Sequence, residues 1–159
     1  IHYVVPHDAR RTDFPSDNFD FISSTATFEH IPATDIPDIL SECYRLLKSN
    51  GIACFKIELE DHFSWIDKSI NNHNYLKYPE WKWNMFFNSS IGHQNRLRAN
   101  DYLKMFQQLQ FKILEFNCDR PTDEDIKLLK EMKINKRFIN SGILEDIGIK
   151  NLDVVLRKN

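Results

Sequence analysis

Two dipeptides in the sequence place a carboxylate next to an imidazole, an arrangement suited to proton transfer. Glu29-His30 and Asp61-His62 each follow a run of residues that predicts a β-strand. An Asp can orient an imidazole and raise its basicity, so both histidines are candidate general bases, and His62 is preferred to His30. The alternative for each histidine is a structural role, in which a nearby carbonyl satisfies the ring.

No group of residues has the spacing of a metal site. His62 and His73 lie eleven residues apart in a stretch without regular structure, and no set of His, Cys and Asp residues has zinc-like spacing. The sequence therefore predicts no bound metal ion.

The elements that precede the two dipeptides predict a βαβ unit. Ile1–Val5 and Phe19–Ser24 are β-rich runs, and apolar residues recur at helical spacing between positions 35 and 48. Gly51 ends this helix, and residues 52–59 have the apolar character of a strand buried on both faces, as parallel strands usually are. Ligands bind at the carboxyl ends of such strands, which is where both dipeptides lie.

The rest of the chain returns to strands and helices after an interruption. Residues 60–98 are rich in aromatic residues and have no clean period, which is typical of a lid or a binding loop. A helix is predicted over 100–109 and a strand over 111–116, followed by a helix over 123–133 and a last strand over 152–157.

Composition limits the classes of function. The chain has 159 residues, enough for one domain over 1–159, and its net charge of −2 does not favour the phosphate contacts of nucleic-acid binding. No run approaches the roughly 18 apolar residues of a membrane span, and no signal peptide is recognisable. Three cysteines without a CxxC pair predict free core thiols, a reducing compartment and a cytoplasmic location.

Four short motifs occur in a fixed order between His7 and Gly51. They are His7-Asp8-Ala9, Asp13-Phe14-Pro15-Ser16-Asp17-Asn18-Phe19-Asp20-Phe21-Ile22, Phe28-Glu29-His30-Ile31 and Arg45-Leu46-Leu47-Lys48-Ser49-Asn50-Gly51. In this order and spacing they resemble the middle of a class I S-adenosylmethionine-dependent methyltransferase of the type 11-like group. The last motif is similar to the RxLKPGG turn of that family.

The resemblance implies an α/β, Rossmann-like sheet with the strand order 3-2-1-4-5-7-6 and an antiparallel last strand. The chain would supply the third to seventh strands and would be truncated at its N-terminus, without the glycine-rich cofactor loop. We therefore expect an upstream segment, and we expect the present residues alone to be inactive. The Ile1–Val5 strand would face a gap of roughly 14 Å at about 4.8 Å per strand. It should re-pair, within the chain or with another copy, or be loosely held.

The resemblance also implies roles in binding S-adenosylmethionine. Asp8 would accept a hydrogen bond from the adenine amino group, and the backbone of Ala9 would reach the adenine ring. The alternative for Asp8 is to cap the following loop. Phe28 would flank the adenine or pack against the sheet, and His30 would lie near the acceptor.

Hydroxyl residues at the end of the Phe19–Ser24 strand would lie beside the methionine part of the cofactor. They are Ser23, Ser24 and Thr25. The alternative is that they only terminate the strand.

The 60–98 insertion is similar to a subgroup of bacterial methyltransferases associated with cell-surface polysaccharide synthesis. The similarity lies in Asp61–Ile70, Asn74–Leu76 and Gln94–Arg98. Aromatic rings stack on sugars, and Asn, Gln and Arg side chains bind hydroxyls or phosphates, so a small-molecule or sugar acceptor is expected. The alternative is a satellite core beneath a long loop.

Two other classes of function stay open. One is another nucleotide-binding α/β enzyme, such as a dehydrogenase, whose common sheet is fully parallel. The other is a non-catalytic, methyltransferase-like binding or assembly module. A local departure concerns Gln110, which stands where the family commonly has a helix-ending Gly, so either the turn differs or backbone strain of about 1 kcal/mol is tolerated.

Overall fold

A mixed four-stranded β-sheet lies at the centre of a computed structural model that describes residues 2–140 and 142–159. Its strands are β1 (Phe19–Thr25), β2 (Leu47–Glu58), β3 (Lys112–Cys118) and β4 (Asn151–Arg157). The order across the sheet is β1-β2-β4-β3, with β1 parallel to β2 and β4 antiparallel to both of its neighbours. The predicted α/β class and the antiparallel last strand are therefore confirmed, while the full seven-strand order stays an expectation.

Seven helices are assigned within the described ranges. They are α1 (Ile36–Leu46), α2 (Phe63–Ile66), α3 (Glu80–Phe86), α4 (Ala99–Gln108), α5 (Asp123–Glu131), α6 (Lys136–Ile139) and α7 (Leu144–Ile147), with 3₁₀ turns at Phe28–His30 and Asn74–Lys77. The three longest, α1, α4 and α5, match the predicted helices to within two residues at each end. None of the helices in residues 2–140 and 142–159 has the length and apolar character that crossing a membrane requires.

The main core lies between one face of the sheet and the apolar sides of α1 and α4. Alternate residues of β2 and β4 point into it, because side chains of a strand alternate between the two faces. The fully or almost fully buried members include Leu40 of α1, Phe55 of β2, Phe106 of α4 and Val154 of β4. Each such side chain contributes about 1.5–3 kcal/mol by burial, so this face fixes the positions of the strand ends.

A second core forms where the 60–98 insertion packs on the C-terminal helices. It consists of Tyr75, Leu76, Trp83, Leu129, Ile134, Phe138 and Ile147. Trp83 has no exposed surface, whereas Trp65, Trp81 and Phe86 are 49%, 63% and 64% exposed. The satellite core, one of the two alternatives for this insertion, is thus confirmed for part of its aromatic residues.

The predicted N-terminal strand is wrong over residues 2–5, and Ile1 lies outside the described residues. Residues 2–5 are not part of a strand, and Tyr3 and Val5 are 86% and 71% exposed. A β-rich run forms a strand only where another strand supplies hydrogen-bond partners. The next strand along the chain, β1, pairs with β2 and not with residues 2–5. Association of two copies through this segment stays a prediction.

The turn between α1 and β2 differs from the predicted helix end. The helix ends at Leu46 rather than at residue 48, and β2 begins at once with Leu47. Asn50, with φ of 65°, takes the left-handed conformation, while a Cβ on Gly51 would lie 2.8 Å from the Lys48 carbonyl oxygen. Glycine is therefore required at residue 51 by close backbone approach and not by its own dihedral angle.

Gln110, between α4 and β3, has φ of 61° and so occupies the left-handed region. Of the two alternatives for this position, a different turn or a strained one, the structure has the strained one. For a residue with a Cβ, the left-handed conformation is less stable than the right-handed one by roughly 1–2 kcal/mol.

We expect Gln110→Gly to raise the free energy of unfolding by about 0.5–1 kcal/mol, because relief of the left-handed strain exceeds the added entropy of the unfolded chain. Urea denaturation measures this change. Gln107→Gly, at an exposed position of α4, is the matched control and should lower the free energy of unfolding by about 1 kcal/mol. Destabilisation by both substitutions would contradict the assignment of strain to Gln110.

Candidate functional site

Two histidines meet at the carboxyl ends of adjacent parallel strands. His30 ends the 3₁₀ turn that follows β1, and His62 follows β2. Their ring centroids are 4.9 Å apart, and the indole of Trp65 stacks on His62 with centroids 4.1 Å apart. The parallel pairing of β1 with β2 brings together two residues that are distant in the sequence.

Both rings line a cavity of about 170 Å³. The remaining lining residues come from the insertion: Phe63, Ile66, Asn88, Gly92, His93 and Gln94. Most of the surface they present is apolar. A concave, mostly apolar cavity of this kind can hold a small ligand.

The hydrogen bond of His30 fixes its neutral tautomer. Nδ1 lies 2.9 Å from the backbone oxygen of His93, which can only accept, so Nδ1 carries the proton and donates it. Nε2 then has a free lone pair. His30 is the more exposed of the two histidines and can meet a ligand in the cavity.

His62 is held in its neutral form. Its Nε2 is buried without a hydrogen-bond partner, and a Glu58 carboxylate oxygen lies 3.5 Å away. Burial, together with a smaller effect of His30, lowers the pKa of His62 to about 4. The imidazole is therefore uncharged near neutral pH and presents a lone pair.

Asp61 does not orient His62, which corrects the argument that favoured this histidine. One Asp61 carboxylate oxygen accepts from the backbone N–H of Phe63 at 2.9 Å, and the other accepts from the Asn74 amide at 3.2 Å. Burial raises the pKa of this carboxyl. Residues that are adjacent in sequence point in different directions here, and Asp61 anchors the start of the insertion.

Glu29 is buried beside the histidines with no partner for its charge. Its side chain is only 2% exposed, and both carboxylate oxygens lack a hydrogen-bond partner within the described part of the chain. Burial raises the pKa of Glu29. An unsatisfied buried carboxyl costs free energy, so a residue of this kind is expected at a functional site.

The polar segment Gln94–Arg98, expected to contact an acceptor, is buried scaffold. The Asn95 amide donates to the carbonyls of Phe28 and Ile31 at 2.7 and 2.8 Å, and its backbone N–H donates to the Glu29 carbonyl at 2.9 Å. These bonds fix the 3₁₀ turn that carries Glu29 and His30. Residue type alone suggested binding, but these side chains are buried, and of the five only Gln94 lines the cavity.

Asp8 and Ala9 lie in an exposed loop. The Asp8 carboxylate accepts from the backbone N–H of Arg10 at 2.9 Å and forms an ion pair with its guanidinium at 2.8 Å. These contacts lower the pKa of Asp8 to about 2. The loop-capping alternative describes this geometry, although Asp8 and Ala9 also line an open groove with Ile31 and Ile39.

The predicted methionine-side residues lie away from the histidine cavity. Ser23, Ser24 and Thr25 border a separate groove on the sheet, where Ser23 and Thr25 are exposed. Phe28 is 3% exposed, and its ring centroid lies 4.8 Å from that of Phe55. Phe28 therefore packs against the sheet, as one of its two alternatives stated.

Buried or half-buried cysteines add no nucleophile to the site. Cys43, Cys54 and Cys118 are free thiols, as predicted. Burial raises the pKa of Cys43 to about 11 and raises the pKa of the other two. The reactive thiolate form is therefore scarce at neutral pH.

Sequence reasoning missed Glu42, which holds the loop that carries Asp8. Its carboxylate accepts from the backbone N–H and the hydroxyl of Thr12 at 2.8 and 2.6 Å, and it pairs with Arg45 at 2.7 Å. Arg45 in turn donates to the Phe14 carbonyl at 2.8 Å. The spacing of Glu42 and Arg45 on α1 was the one signal in the sequence, because i and i+3 residues share a helix face.

Arg45 and Thr12 lower the pKa of Glu42 from 4.5 to about 2, so its contribution to stability is present above pH 4.5 and is lost as the pH falls towards 2. We expect Glu42→Gln to flatten this acid dependence, measured by urea denaturation at several pH values between 5 and 3. Glu124→Gln, at an exposed position of α5, is the control. An unchanged acid dependence in Glu42→Gln would contradict the assignment.

Comparisons with known proteins identify one family. Residues 2–115 match a model described as a methyltransferase domain. No curated protein is similar enough in sequence to count as a match.

Solved structures agree in fold. S-adenosylmethionine-dependent methyltransferases from Methanosarcina mazei, Archaeoglobus fulgidus and Mesorhizobium loti superpose with TM-scores of 0.57, 0.56 and 0.55, at 15%, 13% and 16% identity. The matches cover 96%, 97% and 96% of this chain but 65%, 66% and 67% of those chains. The chain thus spans about two thirds of the length of these structures. Because the family model matches most of its residues, the chain belongs to the methyltransferase domain family.

Proposed function

We propose that this chain forms the acceptor side of an S-adenosylmethionine-dependent methyltransferase that acts on a hydroxyl group of a small molecule or sugar. The observation that carries the proposal is the pair of imidazoles beside one cavity, at the strand ends where α/β folds bind ligands. The bound cofactor supplies an electrophilic methyl group. The chain has to position the acceptor and take its proton.

The open groove beside the Asp8 loop has room for part of the cofactor. Asp8 and Ala9 line an open groove of about 570 Å³ with Ile31 and Ile39 on its wall, a size and character suited to an adenine ring. The Arg10 guanidinium already occupies the Asp8 carboxylate, whose remaining lone pairs are available to an amino group. The four glycines, at 51, 92, 142 and 148, form no glycine-rich loop. We therefore propose that the 159-residue chain binds the cofactor weakly, because it has no such loop.

His30 is the base that the geometry favours. Its Nδ1–H is engaged by the His93 carbonyl, so Nε2 is oriented and free to accept the hydroxyl proton. His62, neutral through burial, has one ring N–H that can donate to the oxygen of the same hydroxyl. The preference for His62 over His30 is thus reversed in this proposal.

Aromatic surface beside the cavity supports a sugar acceptor. Trp65 is 49% exposed and Phe63 is 37% exposed, and Phe63 contributes to the cavity wall. Exposed aromatic faces stack on sugar rings. A role in surface polysaccharide synthesis and a cytoplasmic location are parts of this proposal.

The competing classes differ in how well they agree with the fold. A dehydrogenase with the common parallel sheet is disfavoured, because β4 is antiparallel to β2 and β3. A non-catalytic binding module keeps the fold and predicts cofactor or acceptor binding without methyl transfer. An assay of methyl transfer separates such a module from the enzyme.

For cofactor binding, we expect calorimetry with S-adenosylhomocysteine to show weak or no binding to the 159 residues alone. In a form of the chain extended by a glycine-rich loop, Asp8→Asn should weaken binding by about tenfold, the loss of one hydrogen bond to a charged group. Asp13→Asn, an exposed control, should not. Micromolar binding by the 159 residues would contradict the proposed need for a glycine-rich loop, and unchanged binding in Asp8→Asn would leave Asp8 with loop capping only.

For methyl transfer, we expect His30→Ala to lower kcat in the natural protein by about 10²–10⁴-fold, the usual loss when a general base is removed. Transfer of a labelled methyl group to a panel of sugars and nucleotide sugars measures it. His2→Ala is the control, because His2 is exposed and remote from the cavity. Wild-type turnover in both His30→Ala and His62→Ala would contradict the proposed site, and binding without any transfer would favour the non-catalytic module.

A further inference from the structure

Three side chains place potential metal-ligand atoms close together beside the cavity. Glu29, His30 and His62 each offer one ligand atom, and these atoms all lie within 4.8 Å of one another. The fold assembles this set from the turn after β1 and the loop after β2. Sequence spacing predicted no metal site because the third member joins only through the parallel pairing of the two strands.

Glu29 is the member whose presence most needs an explanation. Its carboxylate is buried with both oxygens unpartnered, and no Lys or Arg pairs with it in residues 2–140 and 142–159. A buried polar atom without a hydrogen-bond partner costs free energy, and the cost is larger when the group is charged. A cation bound at the site would satisfy this carboxylate.

The histidines have the form that metal ligation requires. His30 donates its Nδ1–H to the His93 carbonyl, and a ligating histidine typically donates its other ring N–H in this way. His62 has an unpartnered buried Nε2. The Glu58 carboxylate, 3.5 Å from that nitrogen, adds negative charge beside the site.

We propose that Glu29, His30 and His62 bind a divalent first-row cation, with Zn²⁺ as the best match. Two imidazoles and one carboxylate are a ligand set used by catalytic zinc sites, which leave the fourth position open. Zn–ligand bonds of about 2.0–2.2 Å place donors roughly 3.3 Å apart in a tetrahedron, so the ligand atoms must approach one another by at most about 1.5 Å. Such a shift is within the reach of side-chain rotations at a turn and a loop.

The open position faces the cavity, because His30 and His62 line it. A cation there lowers the pKa of a bound hydroxyl and stabilises the alkoxide that forms when the hydroxyl proton leaves to solvent or to a nearby carboxylate. This catalytic use depends on the proposed function. Cation binding itself does not.

Metal binding by the EDTA-treated, dialysed chain tests the proposal. We expect titration with ZnCl₂ in a calorimeter to show one site, and Co²⁺ to give the visible absorption of a tetrahedral nitrogen and oxygen site. Glu29→Gln and His62→Gln should each weaken Zn²⁺ binding at least tenfold. His2→Ala, an exposed histidine outside the cluster, should bind as the wild type does.

Two further measurements keep the outcome unambiguous. Circular dichroism melting of each variant establishes that it is folded, and Zn²⁺ should raise the melting temperature of the wild type but not of Glu29→Gln. The proposal is overturned by the absence of a stoichiometric site, by wild-type affinity in both variants, or by a near-ultraviolet thiolate band that assigns Co²⁺ to cysteines. Since neither cofactor nor acceptor is present, failure here would leave the proposed methyl transfer untouched.

Discussion

The buried guanidinium of Arg98 is the interaction on which the geometry of the site depends. It donates to the carbonyls of Leu59 and Ile147 at 2.6 and 2.7 Å, and also to the carbonyl of Ile149 and the hydroxyl of Tyr75. A buried cation is tolerated only where such groups replace water. Arg98 therefore connects the end of β2, the insertion and the segment before β4. These bonds fix the direction of the chain directly after β2.

A second set of hydrogen bonds connects the loop after β2 with the turn after β1. The Gln94 amide donates to the Glu60 carbonyl at 2.5 Å, and the Trp83 indole donates to the Gln94 carbonyl at 2.9 Å. Asn95, next in the chain, holds the turn that contains Glu29. Since one buried segment contacts both the turn after β1 and the loop after β2, the two histidines keep their separation although they lie on different elements.

Sequence patterns predicted the elements well and the side-chain directions poorly, for a physical reason. Apolar periodicity records burial on a sheet or helix face, so α1, α4 and β4 were predicted from it. The direction of a side chain in an irregular segment depends on backbone turns that periodicity does not encode. For that reason Asp61 was paired with the wrong neighbour, and the joining of Glu29 to His62 was not foreseen. The strand predicted at residues 2–5 is wrong for a different reason, because strand formation depends on a partner strand and not on local composition alone.

The two uses proposed for the imidazoles exclude each other at any one moment. A lone pair that binds a cation cannot accept a proton, so the site acts either as a base or as a Lewis acid. The buried carboxylate of Glu29 favours the second use, because a bound cation would give its unpartnered oxygens a ligand. In both proposals the acceptor oxygen would lose its proton at the same wall of the cavity. The meeting of two strand ends would fix where the proton is lost, and the presence or absence of a cation would decide how.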